Sequence, residues 1–118
     1  MHVLLISDPE TEISANALKI ICGSYEDPKD YLGLAHFFEH TFSLGSKKYQ
    51  DPADFDKFFK SNGGYNNAFT TDTDMVFSLE TSNEALYEAM DRMADFFREP
   101  LFLENFLQNE ISAVNNKY

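Results

Sequence analysis

The chain has 118 residues, of which 43% are hydrophobic and 15% aromatic; this is enough apolar material for the core of one domain and excludes a disordered segment. The formal net charge of −11 argues against nucleic acid or an anionic membrane as a partner, because both bind basic surfaces. The single cysteine, Cys22, cannot form a disulfide within the chain, and the apolar start of the sequence is too short for a signal peptide or a membrane-spanning helix. We therefore expect an intracellular protein, most simply a cytoplasmic one.

Hydrophobic periodicity and turn-forming residues divide the chain into eight predicted elements. The first half is predicted to contain a strand at residues 3–7, a strand at 15–22 that forms a hairpin with it, a helix at about 31–44 ending at a left-handed Gly45, and a short helix that begins with Asp51 and Pro52. The second half is predicted to contain a hairpin of strands at 65–71 and 75–80, a helix opened by a capping box at 81–84 and reaching about Phe97, and a last helix from about Leu103.

This order, ββααββαα, predicts an α+β fold with a largely antiparallel sheet and helices packed on one of its faces. In the third helix, the spacing places four apolar residues inward: Leu86, Met90, Met93 and Phe97. Four acidic residues recur at helical spacing on the same helix, and we interpret them as a solvated flank rather than a metal site because no histidine accompanies them: Glu84, Glu88, Asp91 and Asp95.

The segment with the clearest chemical meaning is residues 33–42, which contains His36, Glu39 and His40. On a helix these three side chains lie within one narrow arc, because residues three and four positions apart are neighbours. Two imidazoles one turn apart can bind one zinc ion, and a carboxylate beside a zinc-bound water can accept its proton. The H-x-x-E-H pattern therefore predicts a zinc-dependent hydrolase of peptide bonds. The alternative is that the two histidines are ordinary helix-face residues that hydrogen-bond to their neighbours.

A second carboxylate with a predicted role is Glu110 in the last helix. The apolar residues of that helix surround it on the helical wheel, so Glu110 points into the apolar stripe. A carboxylate on a buried face needs a polar partner. We therefore expect Glu110 to contact another polar group of the domain.

Several stretches of the chain are similar to the insulysin and pitrilysin family of zinc metallopeptidases with the inverted motif, and specifically to its insulysin branch. The stretches that carry the resemblance are residues 3–9, 33–40, 44–49, 67–70, 89–97, 100–102 and 110–115. The resemblance covers essentially the whole chain. It implies that residues 1–118 are the N-terminal half of an insulysin-like catalytic domain.

The resemblance also implies roles for individual residues. His36 and His40 would be zinc ligands, and Glu39 would be the general base. Glu110 would support a ligand histidine from behind or substitute for the third ligand. Three residues would bind an extended peptide substrate along the edge of their strand: Asn67, Ala68 and Phe69.

The sequence departs from the family pattern at Lys117. The third zinc ligand of the family is a glutamate seven residues after the position of Glu110, and a lysine ammonium has no lone pair for zinc. This leaves two interpretations open: a peptidase fragment, or a non-catalytic homologue that works as a peptide-binding or regulatory subunit. The short length predicts that the isolated chain is inactive and that its uncovered surfaces favour self-association or a missing partner half.

Overall fold

A three-stranded antiparallel sheet forms one layer of the protein in a computed structural model that describes residues 1–116. The strands are β1 (Ile13–Ile20), β2 (Tyr65–Thr70) and β3 (Met75–Ser82). Strand β3 lies in the centre and pairs with β1 on one side and β2 on the other. The predicted hairpin of β2 and β3 is therefore confirmed, and β2 lies at an edge of the sheet.

Four α-helices accompany the sheet: α1 (Leu34–His40), α2 (Pro52–Ser61), α3 (Leu86–Arg98) and α4 (Glu104–Asn115). Short 3-10 turns precede α1 and α3, at Ser24–Glu26 and Asn83–Ala85. Asp51 caps α2 by accepting the Ala53 N–H at 2.9 Å, and Pro52 is its first residue, as the sequence predicts. No helix within residues 1–116 has the length and apolar character needed to cross a membrane.

The core lies on one face of the sheet. In β3 the side chains alternate strictly, so that Met75, Phe77 and Leu79 are buried while their neighbours are only partly covered. The helices and the turn after α1 supply the other half of this core through buried aromatic residues, namely Phe42, Phe55, Phe59 and Phe96. Fully burying such side chains stabilises a fold by about 1.5–3 kcal/mol each. The predicted α+β class, with helices on one face of an antiparallel sheet, is confirmed.

The predicted first strand at residues 3–7 is wrong. This segment has no regular secondary structure and pairs with no strand of the described chain, and its apolar side chains are exposed, with Leu5 at 87% and Ile6 at 84%. Strand β1 instead forms its full ladder with β3, from Ile13 opposite Ser82 to Ile20 opposite Met75. An apolar run predicts strand propensity, but a strand also needs an edge to pair with, and local sequence does not specify that edge.

The predicted bounds of the first helix, residues 31–44, are too wide. Helix α1 begins after Gly33, whose φ of 91° lies in the left-handed region that favours glycine. It ends at His40, and the left-handed Gly45 (φ 101°) belongs to the loop that follows. Residues 31–33, which the sequence predicts to be helical, belong to the preceding loop. The helix begins after them because Asp27 accepts the N–H groups of Gly33 and Ala35 at this point.

Helix α3 differs from its prediction on three points. The predicted capping box at residues 81–84 is absent: no side chain caps this end, and Thr81 points into the core. Met90 is 45% exposed rather than inward, because the buried stripe is centred on Ala89 and Met93. Asp95 is 5% exposed rather than solvated, because the loop after α1 covers that flank of the helix.

Candidate metal and peptide site

Helix α1 has one face in the core and one face beside the sheet edge. Ala35 is buried on the first face, and Phe38 packs there against Phe77 and Phe96 with ring centroids 6.5 and 5.8 Å apart. The three residues of the predicted metal face are half-buried: His36, Glu39 and His40. Aromatic packing on one side of the helix thus fixes the direction in which the polar side points.

The two histidines bring the same ring nitrogen to one place. The Nε2 atoms of His36 and His40 are 3.2 Å apart, and their rings lie edge to face with centroids separated by 4.8 Å. Two imidazole nitrogens bound tetrahedrally to one zinc ion at about 2.05 Å would be about 3.3 Å apart. The observed separation therefore fits two ligands of one zinc ion.

Glu110 contacts the other nitrogen of His40. The Nδ1 of His40 lies 2.8 Å from Glu110 Oε2, which joins α1 to α4. With Glu110 ionised, the proton resides on Nδ1 and the lone pair on Nε2, which is the tautomer that a metal ligand requires. The expected polar partner of Glu110 is therefore His40. Because Nδ1 and Nε2 lie on opposite sides of the ring, this contact favours a supporting role for Glu110 over direct ligation.

Glu39 is held by the edge strand of the sheet. The hydroxyl of Thr70 donates a hydrogen bond to Glu39 Oε2 at 2.6 Å. The carboxylate thus lies between α1 and the end of β2, on the face of α1 that also carries both histidines. A carboxylate there is placed to accept a proton from a water molecule near the Nε2 pair. Sequence reasoning did not single out Thr70, although its position two residues after Ala68 puts the two on the same face of β2.

The three predicted substrate residues lie on β2, whose outer edge is unpaired within residues 1–116. Their side chains alternate: Asn67 and Phe69 are exposed, with Phe69 at 49%, whereas Ala68 turns toward the helices. An open edge strand can add an extended peptide as a further strand. The structure provides the edge for this, and the binding roles of the three residues stay predictions.

The start of α1 is fixed by Asp27, which sequence analysis treated only as part of a loop. Its two carboxylate oxygens accept the N–H groups of Gly33 at 2.7 Å and Ala35 at 2.8 Å. These N–H groups belong to the end of a helix that has no partners of its own for them. Asp27 lies six residues before Gly33, so no local capping motif predicts this contact.

The loop that leaves α1 is fastened to α3. Asp95 accepts the backbone N–H of Lys48 at 2.8 Å, and the Ser46 hydroxyl together with this N–H holds the pKa of Asp95 below its usual range, against the opposing effect of burial. Ser46 also bridges to Pro100 in the connection between α3 and α4. The start of α1 and the loop that follows the helix are therefore each anchored by a buried or half-buried carboxylate.

A cavity of about 450 Å³ lies on the core side of α1, away from the histidine pair. Its walls are mainly apolar and include Leu34, Phe37, Phe38, Met75 and Phe102. Glu26 and Asp27 are its only carboxylates. A cleft for the predicted hydrolysis needs convergent polar groups, and those lie on the other face of the helix.

The donor set for a metal is incomplete within the described chain. Among residues 1–116, no third His, Cys, Asp or Glu joins His36 and His40 in a group that could hold a metal ion. Lys117, the position that departs from the family pattern, lies outside the described residues. The two imidazoles fit zinc by atom type and spacing, and a third ligand would have to come from Glu110 by rotation or from elsewhere.

Comparisons with known proteins find relatives that match almost the whole chain. The family model described as "Insulinase (Peptidase family M16)" matches residues 2–118. Protease 3 of Escherichia coli strain K12 is 44% identical over 115 residues, which cover 98% of this chain and 12% of that protein. A Schizosaccharomyces pombe protein named as a zinc protease is 42% identical over all 118 residues, again 12% of its length.

The solved structures agree with the sequence comparisons. The crystal structure of pitrilysin matches with a TM-score of 0.87 and 42% identity, covering 94% of this chain and 12% of that one. The chain therefore spans about an eighth of the length of these relatives.

Proposed function

Because the chain belongs to the insulinase family of peptidases (family M16), we propose that it carries the metal-binding part of a zinc-dependent metalloendopeptidase. The observation that supports this most directly is the 3.2 Å approach of the His36 and His40 Nε2 atoms, with Glu39 on the same face of α1. The zinc-binding role of the histidines and the general-base role of Glu39 are both part of the proposal.

In the proposed reaction, zinc bound at the histidine pair would supply Lewis acidity and a water of lowered pKa. His36 and His40 hold their positions through α1, and Glu110 keeps the His40 proton on Nδ1 so that Nε2 faces the metal position. Glu39 takes a proton from the attacking water and gives it to the leaving amine. The products are a carboxylate and an amine.

The proposed substrate is a peptide in extended conformation. It would add to the outer edge of β2, with main-chain hydrogen bonds supplying affinity and the exposed Asn67 and Phe69 side chains supplying selectivity. We also propose an intracellular, cytoplasmic location, because a single cysteine is typical of a reducing compartment. The acidic net charge leads us to propose that neither nucleic acid nor a membrane is a partner.

The experiment that tests the metal site is elemental analysis after purification without a chelator. We expect about one zinc ion per chain in the parent, and loss of that zinc in His40→Ala. His2→Ala is the matched control, because His2 is exposed and far along the chain from α1, and it should keep the zinc. A parent without zinc, or zinc that survives in His40→Ala, would contradict the proposal.

A second candidate function is a non-catalytic peptide-binding or regulatory subunit. It is favoured by Lys117, which stands where the family pattern has the third zinc ligand. The two functions separate in an experiment that joins the chain to the remaining part of a related catalytic domain, with and without Lys117→Glu. Stoichiometric zinc and peptide hydrolysis in the form that keeps Lys117 would overturn the subunit role. Peptide binding without zinc or hydrolysis in both forms would support it.

We propose that the isolated chain is inactive as a peptidase and associates through its uncovered surfaces. The open edge of β2 and the exposed apolar run at residues 3–6 are the surfaces that favour self-association or a partner half. Light scattering after size-exclusion chromatography should give a mass above that of a monomer at micromolar concentration. A strictly monomeric mass over the whole concentration range would contradict this.

A further inference from the structure

Thr70 and Glu39 form a hydrogen bond that joins a side chain of β2 to helix α1. Thr70 is the last residue of β2, and its hydroxyl donates to Glu39 Oε2 at 2.6 Å. The distance is short for an O–H···O bond, as expected when the acceptor is an ionised carboxylate. Both residues are half-buried, so water competes little for the contact.

The orientation of Thr70 follows from the sheet. Its backbone is paired with Met75 of β3, and its side chain lies on the same face as Ala68, toward the helices. Threonine is branched at Cβ and has few accessible rotamers in a strand. The donor oxygen is therefore held in place by the main chain of β2 and needs no further support.

A general base has to be held in a productive geometry, and a free glutamate side chain has three rotatable bonds. With Oε2 engaged by Thr70, the carboxylate is fixed in direction while Oε1 stays available to accept a proton. The Thr70 hydroxyl contacts Glu39 and is not itself one of the proposed reacting groups. Its effect reaches the reaction only through Glu39.

We propose that Thr70 is a positioning residue that orients Glu39 for proton transfer and ties it to the strand on which the peptide is proposed to dock. The inference rests on the proposed peptidase function and deepens it. Asn67 and Phe69 would contact the peptide from one face of β2 while Thr70 holds the base from the other. Peptide docking and orientation of the base are thereby linked through four consecutive residues of β2, residues 67–70.

The test compares Thr70→Val, which removes only the hydroxyl, with Thr70→Ser, which retains it. Thr81→Val is the matched control, because Thr81 is also a β-strand threonine facing the helices, and its buried hydroxyl has no hydrogen-bond partner among residues 1–116. Both valine substitutions replace a hydroxyl by a methyl group, but only the one at Thr70 removes a contact to Glu39.

Activity is measured in a chimera in which this chain replaces the matching segment of Escherichia coli Protease 3, since the chain spans 12% of that protein. We expect Thr70→Val to lower kcat by about tenfold to a hundredfold with KM changed less than twofold, the effect of losing a hydrogen bond to a charged group. Thr70→Ser should recover kcat to within about threefold of the parent, and Thr81→Val should match the parent. Zinc content should be equal in all four proteins.

A second measurement needs no activity and uses the 118-residue chain itself. Thr70→Val, Glu39→Ala and the double variant form a cycle in thermal unfolding. Thr70→Val should lower Tm by about 5 °C in the parent and by much less in the Glu39→Ala background. Additive shifts would mean that the two side chains do not interact and would overturn the inference.

The role of Thr70 and the peptidase function would be contradicted by different results. An active parent chimera whose Thr70→Val variant has the parent kcat would overturn the role of Thr70 and leave the peptidase function standing. A zinc-loaded parent chimera without any hydrolysis would overturn the peptidase function and this inference with it. A loss that appears equally in KM, or that Thr70→Ser does not reverse, would mean a merely structural role.

Discussion

His40 Nδ1 and Glu110 Oε2 are 2.8 Å apart, although 70 positions separate the two residues in the chain. The contact joins α1 to α4 at the point where α1 ends. A carboxylate behind a histidine fixes both its ring orientation and its tautomer. The last helix of the described chain therefore contacts the proposed metal face of α1 from behind, through the nitrogen of His40 that points away from His36.

Removing this carboxylate should weaken zinc binding without abolishing it. We expect Glu110→Ala to raise the zinc Kd by about 10- to 100-fold, with Glu110→Gln in between because the amide oxygen still accepts the Nδ1 proton. Competition with a chromophoric chelator measures the Kd. Glu104→Gln, an exposed carboxylate in the first turn of the same helix, should leave the Kd unchanged. An unaltered Kd in Glu110→Ala would mean that His40 needs no support.

Removing the cap of α1 should destabilise the domain. Asp27→Ala leaves the N–H groups of Gly33 and Ala35 without their acceptors, and loss of such a cap lowers the free energy of unfolding by about 1–2 kcal/mol. Urea unfolding followed by circular dichroism measures the change. Asp30→Ala is the control, because Asp30 is exposed and its side chain has no hydrogen bond among residues 1–116. Equal effects of the two substitutions would contradict the capping role.

The contribution of Asp95 should depend on pH with a defined sign. Its pKa is held below the ordinary value in the folded protein by Ser46 and the Lys48 N–H, so the carboxylate stabilises the fold above the unfolded pKa of about 4 and loses this effect as pH falls through the lower folded pKa. Asp95→Asn should therefore cost about 1–3 kcal/mol at pH 7. The difference from the parent should close below about pH 4. Unfolding curves between pH 3 and pH 7 test this, and a gap that widens on acidification would contradict it.

Replacing Thr81 by valine should stabilise the protein. The Thr81 side chain is 1% exposed, and its hydroxyl has no partner within the described chain. A buried polar group without a hydrogen bond costs about 1–3 kcal/mol, and valine has nearly the same shape without that cost. We expect a gain of about 1 kcal/mol in thermal or urea unfolding. A loss of stability would mean that an ordered water satisfies this hydroxyl.

Much of the site follows from local sequence geometry. The helical period alone places His36, Glu39 and His40 on one face of α1, and the same period places Glu110 on the inner side of α4. Asp51 with Pro52 likewise predicts the start of α2. These features depend only on residues within a few positions of one another, which is why a pattern is enough to find them.

The partners of those residues were decided by tertiary structure. Sequence gives no means of knowing that Asp27 caps α1 or that Thr70 holds Glu39, because each contact joins segments that only the folded sheet and helices bring together. The family resemblance implies that Glu110 supports a ligand histidine, and the packing of α4 on α1 decides that this histidine is His40. The mistaken predictions have the same origin. Residues 3–7 have strand propensity without a paired edge, and Asp95 has an acidic surface pattern but is covered by a loop from elsewhere. Sequence by itself determined which groups the protein has for the proposed zinc site and the proposed proton transfer. Long-range packing determined which neighbours hold them, because burial and hydrogen-bond partners depend on the whole fold.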